Sequence, residues 1–399
     1  MKTEFAKPLN SQKSFEELAD LTLLSSQTLR RFFGKIEQHN RTSTTTLSLL
    51  SRFVGYQDWN QFLQYHTNEK SISVKDKTAI ENMAVFFTNG EKYNTDYFQK
   101  TITVDTLNDY ARVIYAKQEN VQYFYQLYCK NNWATDYILS WIPNYNYYGK
   151  RWFREILQDK MLRTEKAHVR LAQGNFIHFG AWLSEDRDFD YTASYDRLKI
   201  FYKAYKKEFD YMPYHEMRFC TISLIEAKRN GKPVEKTVAT YLKTLREKGF
   251  SAEGNLELLT FYCNTLFWLQ EYEIAYQIIQ EIKPTYNNFQ NDDAKDFLHY
   301  FGVNRAFVKI TFALVYLAND NLDVGDFELQ HGDFNDEADF LFHDYMQVMY
   351  LVQCILYENG LQNKKKLFAD LKSGIELTHY TRIYRILEEL DPVYSQYAF

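Results

Sequence analysis

Glycine and proline are scarce in this chain. Its 399 residues include only 14 glycines and 6 prolines. Sandwiches, barrels and doubly wound folds need more of these residues, because their tight turns favour them. Hydrophobic residues make up 45% of the chain, which is enough for a large core. The composition therefore predicts an all-α fold whose helices are joined by short loops.

The first of two short amphipathic segments begins near residue 14. Phe15, Leu18 and Ala19 have the spacing of one helix face. Ser14 and Glu17 lie three residues apart and form the capping-box pattern that begins many helices. We therefore expect a helix whose first turn follows Ser14.

The second segment is predicted to be a helix that begins after Ser25 and ends at Gly34. Serine is a favourable N-cap and glycine a favourable C′ residue. Leu29 and Phe32 are expected in the core, beside Phe33, which leaves polar, amide and guanidinium groups on the outer side. Two helices joined tightly in this way are typical of a helix-turn-helix that reads the major groove.

The stretch Leu24-Ser25-Ser26-Gln27-Thr28-Leu29-Arg30-Arg31 resembles, without gaps, the helix-turn-helix of the lactose-repressor family, whose second helix typically reads Ser-x-x-Thr-Val-x-Arg. The resemblance implies contact with duplex DNA. Together with the basic residues that follow, it gives the candidate DNA-binding residues Ser26, Gln27, Thr28, Arg30, Arg31, Lys35 and Arg41. The family usually has glycine in the turn, where this chain has Leu23, so we expect a reshaped turn.

A longer block also resembles an N-terminal module of many bacterial proteins, which commonly precedes helical repeats. The corresponding pieces here are Thr28–Gly34, Ser43 to Leu47, Gly55-Tyr56 and Trp59 to Phe62. We predict a disordered N-terminus over residues 1–13, a four-helix, helix-turn-helix-like domain over 14–66 and a linker over 67–78.

Residues 79–399 alternate between segments with helical apolar spacing and short breaks. Predicted breaks include Gly174, Asn230-Gly231 and Pro284. Two breaks per helix pair give a unit of roughly 35–45 residues, which is within the range of tetratricopeptide-like repeats. The segment Thr260–Ile282 resembles the junction of the two helices of such a repeat. We therefore predict an α-solenoid of TPR-like helical hairpins over 79–399.

Aromatic and amide side chains cluster around Pro143. Helical-repeat proteins hold extended peptides with such side chains on a concave face. The candidates for a peptide groove are Trp141, Asn144, Tyr145 and Tyr148. A packed elbow between two hairpins is the other interpretation of the same residues.

Motifs of catalytic and cofactor sites are absent from the sequence, among them GxGxxG, GxxxxGK[ST], GxSxG and HExxH. Two Glu-x-x-His pairs, Glu165/His168 and Glu376/His379, lie in different predicted repeats, so they do not predict a shared metal site. We expect no catalytic residues, no metal and no cofactor, and hence no enzyme.

Charge is unevenly distributed along the chain, and the cysteine pattern indicates the compartment. Residues 1–70 carry a net charge of +2 and the remainder −7. The four cysteines, Cys129, Cys220, Cys263 and Cys354, lie far apart in apolar runs, which is typical of buried thiols in a reducing compartment. No apolar run reaches the length of a membrane span. We predict a cytoplasmic protein that has no contact with a membrane.

These patterns favour a DNA-binding transcriptional regulator. Its first domain would bind duplex DNA, and its helical repeats would form a homodimer or sense a peptide or protein in the solenoid groove. The alternative is a non-enzymatic helical-repeat scaffold that binds a protein or peptide and whose helix-turn-helix-like head does not bind DNA.

Overall fold

The computed structural model describes residues 11–22, 24–33, 35–36, 44–53, 72–90, 101–142, 144–209, 213–248, 252–290, 305–319 and 341–398. Within these ranges the regular elements are helices and no strand occurs, which confirms the all-α prediction. The chain divides into two compact units, residues 1–78 and 79–399, which we call unit 1 and unit 2.

Unit 1 contains α1 (Gln12–Thr22), α2 (Ser26–Phe32) and α3 (Thr44–Phe53). Helix α1 packs against both α2 and α3. Phe15, Leu18 and Leu29 are buried at this contact as predicted, and further apolar side chains are half-buried against them, namely Ala19, Leu24, Leu50 and Phe53. The pieces that the sequence predicts around Gly55 and Trp59 lie outside the described residues.

Helix α1 begins one turn earlier than predicted. The backbone amide of Ser14 donates to Ser11 Oγ (3.2 Å), and the amide of Ser11 donates to Ser14 Oγ (3.3 Å). The reciprocal cap is therefore formed by Ser11 and Ser14 and not by Ser14 and Glu17. Gln12 and Lys13 are thus helical, although they fall in the range predicted as disordered.

A further helix, α4 (Val74–Asn82), crosses the boundary between the units. It begins inside the range predicted as a linker, 67–78. Its first turn is capped by Ser73, whose Oγ accepts a hydrogen bond from the amide of Asp76 (3.0 Å).

Unit 2 continues with a series of helices. In chain order they are α5 (Ala84–Gly90), α6 (Thr101–Tyr115), α7 (Gln118–Tyr128), α8 (Asn132–Asp136), a π-helical turn (Tyr137–Trp141), α9 (Arg151–Arg163), α10 (Ala167–Leu183), α11 (Tyr191–Glu208), α12 (Pro213–Arg229), α13 (Glu235–Lys248), α14 (Ala252–Trp268), α15 (Tyr272–Gln290), α16 (Arg305–Leu317), α17 (His343–Tyr357), α18 (Leu361–Thr378) and α19 (Ile383–Leu390).

Consecutive helices of unit 2 pack in pairs. Helix α10 packs with α11, α12 with α13, α14 with α15 and α17 with α18. The first helices of successive pairs also contact one another, because α10 packs on α12 and α12 packs on α14. Side chains from three successive pairs can therefore meet in one place.

Two of the predicted breaks lie inside helices. Gly174 is in the middle of α10, where a Cβ would lie 2.7 Å from Cδ2 of Leu198, so the missing side chain makes room for α11. Pro284 lies within α15, whose apolar residues pack along α14, and this packing overrides the local cost of proline. The break at Gly231 is confirmed, because this residue has a φ of +63° after the end of α12.

Residues 144–149 pack in the interior of unit 2. The amide of Tyr145 donates a hydrogen bond to the carbonyl of Leu341 (2.9 Å). The carbonyl of Tyr145 accepts a hydrogen bond from the hydroxyl of Tyr380. This segment from the middle of the chain is therefore held by residues from its C-terminal third.

Candidate functional site

Helix α2 is the element that would present the candidate DNA-binding residues. The residue before it, Ser25, has extended backbone geometry, and its Oγ accepts a hydrogen bond from the amide of Thr28 (3.0 Å). Ser25 Oγ also lies 2.8 Å from Thr28 Oγ1. On the opposite side Leu29 is fully buried and fixes the rotation of α2 against α1. Ser25 is therefore the N-cap that the sequence predicts.

The candidate DNA-binding residues differ in their exposure. Gln27, Arg31 and Lys35 are exposed, whereas three others are half-buried, namely Ser26, Thr28 and Arg30. Arg41 lies outside the described residues. Helix α2 contains no acidic residue and carries both arginines in its last turn, where the helix dipole favours cations.

Some large apolar side chains of unit 1 are exposed. The exposed fraction is 56% for Leu21, 39% for Phe32 and 43% for Phe33. The expectation that Phe32 belongs to the core is wrong, because its side chain is exposed at the end of α2, whereas Leu29 one turn earlier is fully buried against α1. The ring of Phe32 lies edge-on to that of Phe33 at 5.1 Å.

The four groove candidates around residue 143 lie in unit 2. Asn144, Tyr145 and Tyr148 are buried, and the ring of Tyr148 stacks on Phe176 at 4.5 Å. Trp141 is half-buried against His215. Three of the four candidates therefore pack inside unit 2 and do not line an open surface, which is the arrangement of the packed elbow.

A small cavity lies beside Tyr145, among α10, α12 and α14. Its volume is about 20 Å³, which exceeds the space that one water-sized group needs. The polar and aromatic residues around it come from all three helices, with Asn175 and Phe179 from α10, Arg218 and Thr221 from α12, and Phe261 and Asn264 from α14. The stacked first helices of three pairs thus build this cavity.

Arg218 is the charged residue of the cavity. Only 4% of its surface is exposed, and its guanidinium carbon lies 3.8 Å from the ring centre of Phe176 and 3.6 Å from that of Tyr214. Its Nε, Nη1 and Nη2 atoms have no hydrogen-bond partner in the described part of the chain. Burial lowers the pKa of Arg218 to about 10, so the side chain stays charged at neutral pH.

Asn175 and Asn264 face the same cavity but differ in their hydrogen bonds. Asn175 is buried, and neither atom of its amide group has a partner among the described residues. Asn264 Oδ1 accepts a hydrogen bond from the hydroxyl of Tyr345 (2.5 Å), which in turn accepts one from Trp268 Nε1 (2.7 Å). On one side of the cavity, Asn264 therefore has its hydrogen bonds formed. On the other, Asn175 and Arg218 have hydrogen-bonding groups without partners among the described residues.

A wider cleft of about 520 Å³ is lined by several cations beside Trp182. Four of the five cations, all except Arg187, lie within ion-pair distance of a carboxylate in the described ranges. Arg385 Nε lies 2.5 Å from a carboxylate oxygen of Glu185, and two further pairs are Lys228–Glu271 (2.5 Å) and Arg229–Glu226 (2.6 Å). The charge balance of this cleft thus differs from that around Arg218.

Sequence patterns did not single out Arg218 or Asn175. Each is a single polar residue in a helix, and such residues are usually solvated. The repeat pattern does carry one relevant signal. Asn175, Arg218 and Asn264 each lie on the first helix of a successive helix pair, and such helices stack on one another.

No group of three or more His, Cys, Asp or Glu side chains in the described ranges is arranged to hold a metal ion. None of the helices in the described part of the chain combines the length and hydropathy of a membrane span. All four cysteines are free thiols. Comparisons of the chain with protein-family models, with curated proteins and with solved structures found no match.

Proposed function

We propose that this chain is a DNA-binding transcriptional regulator. In this proposal α1 and α2 form a helix-turn-helix, and α2 enters the major groove of duplex DNA. Unit 2 is a TPR-like α-solenoid that forms a homodimer or senses a peptide or protein. The resemblance of residues 15–34 to the lactose-repressor helix-turn-helix motivates the assignment, and the geometry of α2 supports it.

The observation that carries the proposal is the orientation of α2. Leu29 faces α1, while Gln27 and Arg31 are exposed. A glutamine amide can form two hydrogen bonds with adenine, and an arginine can do the same with guanine. A helix that is anchored on one side and carries these groups on the other has the chemistry of a recognition helix.

The packing of unit 2 supports its role as a solenoid. In α-solenoids each hairpin contacts its neighbours, so the first helices stack in a layer. Helices α10, α12 and α14 stack in this order.

The experiment is selection of bound duplexes from a random pool with the full chain, followed by gel shifts at several salt concentrations. We expect Arg31→Ala and Gln27→Ala to weaken binding to the selected duplex about tenfold or more without unfolding the chain. Arg246→Ala in unit 2 is the matched control, because it removes an exposed arginine far along the sequence.

Two results would contradict the regulator. One is the absence of any salt-sensitive duplex binding by the full chain. The other is an equal loss of affinity in Arg31→Ala and Arg246→Ala, since that would indicate non-specific attraction by net charge alone.

The scaffold is a second candidate, and the exposed Leu21, Phe32 and Phe33 favour it. Large apolar side chains that are exposed together often mark protein contacts. In that case the chain binds no duplex, and changing Phe32 and Phe33 to serine abolishes association with a protein partner or a second copy. Sedimentation velocity of the double variant, run beside the gel shifts, distinguishes the two functions.

A further inference from the structure

We propose that the cavity beside Arg218 binds the carboxylate group of a small organic ligand, and that Asn175 bonds to the part of the ligand next to that carboxylate. The ligand class is an N-acylated amino acid or the C-terminal residue of a peptide. This inference concerns unit 2 alone and deepens its proposed role as a sensor, because it names a site and a class of ligand. It stands whether or not unit 1 binds DNA.

The first argument is the missing counter-charge. Four cationic side chains are buried in the described ranges, and three of them pair with a carboxylate, namely Arg154 with Asp186 (2.7 Å), Lys160 with Asp136 (2.8 Å) and Lys364 with Asp391 (2.5 Å). Arg218 is the fourth, and the described residues provide no carboxylate for it. A buried charge without a partner is strongly unfavourable. An anionic ligand would supply the partner that this protein provides at the other three positions.

The second argument is the geometry of the guanidinium. The rings of Phe176 and Tyr214 lie over the group, so its in-plane N–H bonds remain for a polar partner. A carboxylate accepts two such parallel bonds, which is the pairing that arginine forms best. The hydroxyl of Tyr148 lies near Arg218 and has no partner of good hydrogen-bond geometry among the described residues, so it offers a further donor.

The third argument concerns the identity of the ligand. Arg218 is the one cation among the residues that line the cavity, which suits a monoanion better than a phosphate. The amide of Asn175 offers both a donor and an acceptor, which match the N–H and C=O of a peptide group. Phe179, Met217 and Phe261 provide apolar walls.

The size of the cavity sets a condition on binding. About 20 Å³ accommodates one water-sized group, such as one carboxylate oxygen, beside Arg218 but not the rest of the ligand. The body of the ligand therefore requires the rings of Tyr145, Phe179 or Phe261 to change rotamer. Binding should consequently be slow compared with diffusion, and should change the environment of the aromatic side chains.

The test uses the full chain, with thermal unfolding and isothermal titration calorimetry. The probes are N-acetyl-leucine, N-acetyl-phenylalanine and a set of N-acetylated dipeptides, each as the free acid and as the C-terminal amide. We expect at least one acid to raise the Tm and its amide to bind at least tenfold more weakly. Arg218→Met and Asn175→Leu are expected to abolish the shift, and Arg218→Lys to weaken it because lysine cannot form the paired bonds.

The ligand-free variants separate a binding role from a structural one. Arg218→Met removes an unpaired buried charge, so we expect its Tm to equal or exceed that of the unchanged protein. Arg246→Met, on the exposed side of α13, is the matched control and should leave the ligand-induced shift intact.

Several results would overturn the proposal. They are equal binding of acids and amides, no Tm shift with any acid at millimolar concentration, and a marked fall in the Tm of ligand-free Arg218→Met. A Tm rise when chloride replaces gluconate, present in the unchanged protein and lost in Arg218→Met without any response to the acids, would assign the site to a small inorganic anion.

Discussion

Gly180 of α10 lies directly against the backbone carbonyl of Tyr148. A Cβ built on Gly180 would come closer than 3.0 Å to this carbonyl oxygen, which side chains essentially never do. The contact joins α10 to the interior segment 144–149. Glycine at position 180 is therefore required by a close backbone approach and not by its own φ angle.

We expect Gly180→Ala to lower the free energy of unfolding by about 1–3 kcal/mol, because either α10 or the segment 144–149 must shift to admit the methyl group. Urea unfolding followed by far-UV circular dichroism measures the change. Gly360→Ala is the control, since its Cβ would meet the flexible end of Glu358, and there the loss should stay within about 0.5 kcal/mol. Equal losses in the two variants would contradict the assigned contact.

The buried carboxylate of Asp136 gives a second prediction. It lies 2.8 Å from the Nζ atoms of both Lys160 and Lys166, and Lys160 is fully buried. Lys160→Met keeps the length of the side chain but removes one of the two charges that face Asp136. We expect a loss of about 3 kcal/mol in the free energy of unfolding, measured by urea denaturation.

An exposed ion pair serves as the comparison for Lys160. Arg246 and Glu281 lie 3.1 Å apart, with exposed fractions of 69% and 59% for their side chains. Because water screens this pair, Arg246→Met should cost less than about 1 kcal/mol. A loss for Lys160→Met that is no larger than for Arg246→Met would show that the Asp136 pair does not hold α8 and α9 together.

His215 gives a prediction about pH. Burial, helped by nearby His168, lowers the pKa of His215 to about 3, from about 6.5 in an unfolded chain. Between these values the unfolded state binds a proton that the folded state does not, so stability falls as the pH decreases below 6.5. The contribution of this group is about 1.4 kcal/mol per pH unit. His215→Leu should therefore flatten the pH dependence of the free energy of unfolding between pH 6.5 and 4.

The quantity to compare between His215→Leu and the unchanged protein is the slope of the free energy of unfolding against pH. The absolute free energy is not suitable, because leucine also changes the packing against Trp141 and Tyr205. A weaker slope remains in the variant, since burial also lowers the pKa of His168 and His178. Identical slopes in the two proteins would mean that folding does not lower the pKa of His215. Urea titrations at four pH values are sufficient for this measurement.

The cap of α2 gives the last prediction. Ser25→Ala removes the acceptor of the Thr28 amide and should destabilise α2 by about 1 kcal/mol. Faster hydrogen exchange of the amides in α2, with unchanged exchange in α10, measures this local effect. If α2 binds DNA, affinity for the selected duplex falls together with protection. Ser26→Ala, one residue later, should leave the exchange of α2 nearly unchanged.

Helix caps in unit 1 can be predicted from the sequence, because they depend on hydrogen bonds between side chains and nearby backbone amides. Ser25 is the predicted N-cap, because a serine before an amphipathic segment has few other roles. The start of α1 was predicted one turn late because Ser11 and Ser14 form a cap as good as that of Ser14 and Glu17. Such alternatives differ by too little free energy for a sequence pattern to separate them.

The packing inside unit 2 cannot be predicted from local sequence patterns, because it depends on contacts between residues far apart in the chain. Tyr145 and Tyr148 would suit a groove or a core equally well, and the contacts of Tyr145 with Leu341 and Tyr380 decide for the core. Gly174 has the sequence signature of a helix break, but the structure shows that a glycine is needed there because Leu198 of α11 packs against it. Arg218 has no distinguishing neighbours in sequence, since its isolation arises from three helices that come together.

The hydrogen bond between Tyr380 and Tyr145 spans 235 positions of the chain. A ribosome that adds about 5–20 residues per second needs roughly 10–50 s to cover that interval. During this time the three tyrosines of segment 144–149 have been made but lack their final neighbours. The nascent chain therefore exposes apolar aromatic side chains until its C-terminal helices have been synthesised. We expect early termination or slow translation to promote aggregation of the incomplete chain.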